Sequence, residues 1–267
     1  MNTSQNPNPN EWINDVDDLP IPPFELINLV VGPSNPRDFV KLGKEIAFQS
    51  IVTALTKNKF ALNQFHALLD FGCGCGRLTR HFKPLSNTKI YGTDYNPILI
   101  QWCQENLPFA EFQVNQLDPP LNYPEDTFDF IFAGSVFTHF TEEIQFAWLD
   151  ELWRVLIPNG YLMITTHGEP YAKDWLTPEL YEKFKTGEFI VFKAEEVGGN
   201  PCVAYHPPQY IQSKLTRKFS LIDHIPQGWD KQDVILLQKR IWNLKYLTNE
   251  IANGRLAQVL KYNFRHR

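Results

Sequence analysis

The chain has 267 residues, a formal charge of −5, and 43% apolar and 14% aromatic residues. That composition buries a sizeable core in one large domain and excludes wholesale disorder. The acidic balance argues against a nucleic-acid partner held through its phosphates, because such a grip needs a clustered basic face.

In chain order, residues 1–20 read as a polar, flexible tail. Residues 1–9 are rich in Asn and Pro and lack the basic-then-apolar pattern of a secretory leader. No apolar run approaches the ~20 residues that cross a bilayer, so a cytoplasmic protein without a membrane span is expected. Residues 21–64 read as a helical cap. The ordered part begins at 21–26, residues 33–36 are a turn-rich break, and Phe39, Leu42, Ile46, Ile51 and Leu55 recur at helical spacing over 37–60.

The centre alternates strand and helix. Residues 66–70 form a short apolar strand that runs into a glycine loop, and 77–82 continue as a helix stopped by Pro84. A strand at 89–94 is followed by a helix at 97–106, with Pro97 in its first turn, where the missing N–H costs little. Strands follow at 111–114 and 127–132. A helix at 142–156 ends at the turn Ile157-Pro158-Asn159-Gly160, and 161–165 form a fifth strand. Such alternation predicts an α/β protein with a parallel sheet covered on both faces.

The pattern breaks after Gly168. Residues 169–210 are rich in Pro and Gly, with one short helix at 178–186, and read as an insertion over the carboxyl edge of the sheet. The runs 219–225 and 233–238 are joined too closely for a crossover helix and should pair antiparallel. A helix over 241–262 closes the chain, and Arg255, Lys261, Arg265 and Arg267 read as a solvated tail.

The chemistry concentrates at Leu69-Asp70-Phe71-Gly72-Cys73-Gly74-Cys75-Gly76-Arg77. A strand ending in an acid and entering Gly-x-Gly-x-Gly turns sharply at the sheet's carboxyl edge, where a ligand can lie against bare backbone. The N–H groups that follow face that ligand. Asp94 ends the next strand, where a carboxylate can accept both hydroxyls of a ribose. A dinucleotide pyrophosphate wants Gly-x-Gly-x-x-Gly; here the third glycine comes one residue early and Arg77 stands in its place. Asp70 and the misplaced glycine weigh against a nicotinamide cofactor. Cys73 and Cys75 are spaced too tightly for a structural zinc site, which also needs two further ligands, so no metal is expected.

On these residues the chain resembles the class I, Rossmann-like S-adenosylmethionine (SAM) methyltransferases, closely over 66–168 and by topology over the pair 218–239. Residues 69–77 resemble the family's first motif, Tyr91-Gly92-Thr93-Asp94 its second, and Thr127-Phe128-Asp129-Phe130-Ile131 its fourth strand. Residues 152–161 resemble the helix and turn before the fifth strand, with Asn159 where the family usually has Gly. The resemblance implies a doubly wound seven-stranded sheet, mostly parallel with a terminal antiparallel strand, and helices on both faces. It implies a SAM domain over 65–240, with 169–210 as a lid or acceptor insertion and 241–267 as a C-terminal helix and tail. SAM would be held by Asp70, Gly72, Cys73, Gly74, Gly76, Asp94, Tyr95, Asn115, Gln116, Leu117, Gly134 and Ser135. Many relatives carry an acid after the third strand to bind the adenine amino group. Here Asn115 or Gln116 offers an amide oxygen instead.

Asp118-Pro119-Pro120-Leu121 imitates an amino-methyltransferase motif but precedes the fourth strand and lacks the aromatic, so it reads as a loop. The segment after that strand contains Ser135-Val136-Phe137-Thr138-His139, which resembles methyltransferases of bacterial surface-glycan and small-metabolite pathways. A small-molecule or glycan-like acceptor, methylated on O or N, is implied. The alternatives are a catalytically silent SAM-binding module and, behind it, a nicotinamide oxidoreductase. An O–H or N–H acceptor benefits from a general base, and His139, His167 and His206 fall where it should lie; His66, His81 and His224 read as structural. Phe137, Trp102, Trp148 and Trp153 could stack on adenine or face the sulfonium, although Trp148 lies on a helical core stripe. Tyr171, Trp175, Tyr181, Phe184, Tyr205 and Tyr210 give the insertion an aromatic wall.

Overall fold

The computed structural model describes residues 17–240. The helix expected over 241–262, and residues 1–16 of the expected tail, lie outside the described residues. Nine strands and their intervening helices run in the order α1 (Phe24–Val31), α2 (Pro36–Leu42), α3 (Gln49–Lys57), β1 (Ala67–Phe71), β2 (Lys89–Asp94), α4 (Pro97–Asn106), β3 (Glu111–Val114), β4 (Phe128–Ala133), α5 (Glu142–Val155) and β5 (Leu156–Thr166). Then come α6 (Glu169–Trp175), α7 (Pro178–Lys185), β6 (Ile190–Phe192), β7 (Val203–Tyr205), α8 (Pro208–Tyr210), β8 (Phe219–Trp229) and β9 (Gln232–Lys239).

Seven strands form one sheet in the order β3-β2-β1-β4-β5-β9-β8. The first five are mutually parallel. β9 runs antiparallel to both β5 and β8, so the last of the described strands lies one in from the edge. This is the doubly wound, mostly parallel sheet that the alternation of elements implied.

Side chains alternate across the sheet because successive residues of a strand point to opposite faces. On β4, Ile131 and Ala133 pack with Trp148, Leu152 and Val155 of α5, while Phe130 and Phe132 pack with Ile51, Ala54 and Leu55 of α3. Leu152 and Val155 are fully buried, and each such side chain contributes roughly 1.5–3 kcal/mol. A third cluster joins α1, α2 and α4 beside the glycine loop through Ile27, Phe39, Val40, Cys73, Cys75 and Cys103. The N-terminal helices therefore sit on the loop itself. Caps fix the helix starts: Asn96 accepts from the Ile98 N–H at 3.0 Å ahead of Pro97, and Thr141 accepts from the Ile144 N–H ahead of α5.

Four expectations need correction. The helix expected at 77–82 is a short 3₁₀ turn, Thr79–Phe82. Gly76 holds φ +74°, Thr79 bonds back to Asp70 and Arg80 reaches to Asp17, so the chain is pinned before an α-turn can propagate. The one or two helices expected over 37–60 are α2 and α3, joined through a π-helical stretch, Gly43–Phe48. A Cβ on Gly43 would stand 2.9 Å from the Arg77 carbonyl oxygen, so a side chain there would not fit against the loop. The turn expected at 157–160 lies within β5 as an irregularity, where the register shifts opposite Phe128 and Phe130 and Asn159 takes φ +62°. The insertion is more ordered than its composition indicated: α6 precedes the expected α7, and β6 and β7 pair as a small antiparallel ribbon.

Candidate cofactor and acceptor site

A cavity of about 890 Å³ opens over the carboxyl ends of β1, β2, β4 and β5. That volume is near the top of the range for single-ligand clefts, leaving room for a nucleoside beside a small acceptor. At one end lie Asp70, Gly72, Cys73, Gly74, Asp94, Tyr95, Asn115, Gln116, Leu117, Gly134 and Ser135. Sequence reasoning named every one of them. Gly76, named with them, does not line the cavity: a Cβ there would meet Leu107 Cδ1 at 2.4 Å, so this glycine seats the loop against the core.

The loop is held open for a ligand by its own backbone. The N–H groups of Gly72 and Cys73 both donate to the Thr93 carbonyl, at 2.8 and 2.9 Å. The Gly74 N–H donates to Asp94 Oδ2 and the Asn96 N–H to Oδ1, each at 2.9 Å. Both oxygens of Asp94 are thereby oriented, with lone pairs left for a diol. Burial raises the Asp94 carboxyl above its usual range, against the pull of those N–H donors. Asp70 is 2% exposed. Burial first, and then the charge of Asp94, push its carboxyl up to about 7, although the Thr79 hydroxyl donates to it at 2.6 Å. Two buried carboxylates in one cleft favour a ligand that brings positive charge.

The fit to an adenine nucleoside rests on Asn115. Its Nδ2 donates to the Gln116 carbonyl at 2.7 Å, while its Oδ1 is buried without a hydrogen-bond partner. A buried orphan acceptor is costly unless something donates to it, and an exocyclic amine is such a donor. Behind it, Trp148 Nε1 donates to the Leu117 carbonyl at 2.9 Å and fixes the wall.

Toward the other end, His139 and His167 line the cavity, and His206 does not. His206 has no exposed surface; its Nε2 faces Gln145 Oε1 at 2.7 Å under Phe189 and Tyr210, and burial pushes it down to about 3. It is a core residue of the insertion rather than a companion to the other two. His139 Nδ1 lies 2.7 Å from the Cys202 carbonyl and His167 Nδ1 3.2 Å from the Ala204 carbonyl. Carbonyls only accept, so each Nδ1 carries the proton and each neutral ring keeps its lone pair on Nε2. Burial lowers both from their ordinary value, His167 to about 4 with the nearby His139 adding to the effect.

Of the aromatics proposed to touch the cofactor, only Trp148 reaches the cavity. Phe137 is buried against Phe140, Trp102 belongs to the cluster beside α1, and Trp153 carries Lys239 over its ring. In the insertion Tyr171, Trp175 and Tyr205 line the cavity, whereas Phe184 and Tyr181 build a satellite core and Tyr210 packs inside. His66 lies just before β1 facing Asp129, His81 is buried below α2, and His224 bonds Asp233 at 2.7 Å.

Two contributors were missed. Leu29, Val30 and Val31 of α1 close one side, and Trp229, Asp230 and Gln232 enter from the β8–β9 turn. Gln232 Oε1 accepts from the Thr165 hydroxyl at 2.6 Å, while the same hydroxyl accepts the Ser135 N–H at 2.7 Å. A Trp-Asp pair in a hairpin turn was the available signal, since a tip that only reverses the chain has no use for tryptophan. Among the described residues no group of three His, Cys, Asp or Glu side chains could hold a metal, and no helix is long and apolar enough to cross a membrane.

Residues 69–164 match the family described as "Methyltransferase domain". An uncharacterized methyltransferase of Schizosaccharomyces pombe is 25% identical over 150 residues, which are 55% of this chain; the match spans 58% of the relative's own length. Among solved structures, a SAM-dependent methyltransferase from Methanosarcina mazei superposes with a TM-score of 0.51 at 19% identity, over 69% of this chain and 96% of that one. The PH0226 protein of Pyrococcus horikoshii gives 0.56 at 15% identity, over 81% and 98%. An S-adenosylmethionine-dependent methyltransferase from Mesorhizobium loti gives 0.54 at 14%, over 71% and 98%. At these identities the structures testify to the shared fold.

Proposed function

We propose that this chain, whose residues 69–164 match a methyltransferase domain, is a class I SAM-dependent methyltransferase that transfers the methyl group of SAM to an oxygen or nitrogen of a small-molecule or glycan-like acceptor. The observation that carries the reading is one continuous cavity with Asp94 and the glycine loop at one end and two neutral imidazoles at the other. SAM brings a methyl group already activated on a sulfonium, so alignment supplies most of the rate. Asp94 accepts the ribose hydroxyls, Asn115 Oδ1 accepts the adenine amino group, and the backbone of 72–74 lies along the ligand. Asp70 faces the cationic end and is ionised by it. His139 or His167 takes the acceptor's proton on Nε2, and the lid residues Tyr171 and Tyr205 keep water from the transfer.

Calorimetry with SAM and S-adenosylhomocysteine tests this directly. Micromolar binding is expected for the wild type, with a loss of at least tenfold for Asp94→Ala, since hydrogen bonds to a charged group contribute about 1.5–3 kcal/mol each. Folded protein that binds neither nucleoside would sink the proposal.

A further inference from the structure

The acceptor end of the cavity differs from the cofactor end in kind. Its walls are aromatic: Tyr171, Trp175 and Tyr205 from the insertion, with Trp229 of the hairpin tip standing beside Gly134 where the two ends meet. Tyr171 lies 4.1 Å from the His167 ring, centroid to centroid, and Tyr205 lies 5.7 Å away. Trp229 is stacked on Phe132 at 5.1 Å and 24°. Trp175 is 69% exposed at the rim, although it is among the largest apolar side chains in the chain. Aromatic faces lining a cleft favour a ligand with a flat face to stack on them.

The charges are one-sided. Among the described residues, four formally charged side chains line the cavity: Asp70, Asp94, Asp230 and Arg77. Arg77 belongs to the far end, its guanidinium over the Phe39 ring at 5.7 Å. Among the described residues, Asp230 is thus the charged group at the acceptor end. Its neighbour Lys231 is turned away to Asp174 at 3.2 Å. A carboxylate or phosphate on the acceptor would meet Asp230 at this end and, among the described residues, no cation.

Resting on the methyltransferase reading, we propose that the acceptor is an uncharged, planar phenol, stacked among Tyr171, Tyr205 and Trp229 and methylated on its hydroxyl oxygen. Its O–H proton passes to Nε2 of His139 or His167. An oxygen lone pair forms the bond to the methyl carbon as the carbon–sulfur bond breaks, with that electron pair staying on sulfur; the imidazolium then returns its proton to solvent. The weakness of the two bases selects the same acceptor. Burial lowers both imidazoles, and a phenol near pKa about 10 gives up its proton to such a base far more readily than a hydroxyl resembling water at about 15.7.

The test uses the full chain with three probes: 4-methylphenol, its anionic relative 4-hydroxyphenylacetate, and methyl glucoside. Binding of S-adenosylhomocysteine is measured first; its absence sinks the methyltransferase reading and this inference with it. With that nucleoside bound, calorimetry is expected to show 4-methylphenol at least tenfold tighter than 4-hydroxyphenylacetate. With methyl-labelled SAM, label is expected on 4-methylphenol, with kcat/KM at least 100-fold lower for the anion and no label on the glucoside. Asp230→Lys is expected to narrow the gap between the two phenols to tenfold or less. Cofactor binding with the glucoside or an aromatic amine preferred, with both phenols used equally, or with no phenol labelled, overturns the proposal and leaves the cofactor site standing.

Discussion

His139 and His167 follow different strands of the sheet, β4 and β5, yet both are locked by β7 and the residue before it: their Nδ1 atoms donate to the carbonyls of Cys202 and Ala204, two residues apart. The ribbon closes the same contact through its backbone. The Gly198 N–H donates to the His139 carbonyl at 2.8 Å and the His206 N–H to the His167 carbonyl at 2.9 Å. The insertion therefore sets the tautomer of both imidazoles as well as covering them.

The pH dependence of turnover follows from that environment. A general base works when deprotonated, and burial holds both rings below the ordinary histidine value, His167 to about 4. At saturating SAM, kcat/KM for the acceptor is expected to stay level from pH 8 down to about 6. A limb centred at 7 or above would exclude both rings. Replacing the acting base by Ala should lower kcat by roughly 10²–10⁴ while leaving S-adenosylhomocysteine binding unchanged.

Asp70 couples the cofactor to pH in a different window. Its carboxyl is raised to about 7 in the folded protein without ligand, against about 3.9 for an unfolded chain. The folded state thus holds the proton more tightly. Its contribution to stability is full below pH about 4 and lost as pH rises through 7. A cationic ligand needs the ionised form, so SAM affinity should climb toward pH 7 and level off above it. Asp70→Asn removes both effects. Subtracting its calorimetric profile from the wild type cancels the titration of the ligand's own amino group; a difference that stays flat across pH 6–8 would contradict the assignment.

Gly72 illustrates why a glycine motif can be read from sequence. It takes φ +78°, and an added Cβ would fall 2.3 Å from Val136 Cγ2. Gly72→Ala should destabilise the fold by about 2–4 kcal/mol, combining the left-handed backbone with overpacking. Val136→Ala removes the second part, so the double variant should recover about 1–2 kcal/mol in denaturant melts. Strict additivity of the two substitutions would show that the clash is absorbed elsewhere.

Legibility divided along the same line. The strands, the mostly parallel sheet and the cavity-lining residues around the glycine loop were readable because they rest on local rules: apolar periodicity, glycines at positive φ, and acids at strand ends. Asp94 could be placed from its strand alone. The acceptor end could not. His206 looked equivalent to His139 and His167 from chain position, and only tertiary packing turns it toward Gln145 and away from the cavity. Trp229 and Asp230 reach the site from 63 or more residues beyond the strands that build it, and Val30 from wholly before them. No periodicity reports such a meeting. The π-helical stretch at Gly43–Phe48 was hidden for a like reason, since its cause is the backbone of Arg77 pressing on Gly43.

The N-terminal cap gives the last prediction. Arg80, 1% exposed, donates from Nε to Asp17 Oδ2 at 2.7 Å and from one terminal nitrogen to Asp17 Oδ1 and to the carbonyls of Leu19 and Pro20. This fork ties the start of the cap to the turn that follows the glycine loop. Ten residues on, Val30 packs over the loop, where a Cβ on Gly74 would meet its Cγ2 at 2.9 Å. Burial pushes the Asp17 carboxyl up, but Arg80 outweighs it and holds the group below its ordinary value. That contribution is present above pH about 4 and disappears as pH falls through the lowered value. Asp17→Asn keeps the shape and removes the charge, and should cost about 2–3 kcal/mol, toward the low end for a broken buried pair because Asp17 retains contact with water. If α1 is latched this way, amide exchange over Phe24–Val31 should quicken while β1 and β4 stay protected. SAM affinity should fall with it, because one wall of the cofactor end is then ordered only on binding. Unchanged exchange in α1 would mean that its packing against Phe39 and Val40 holds the cap without the latch.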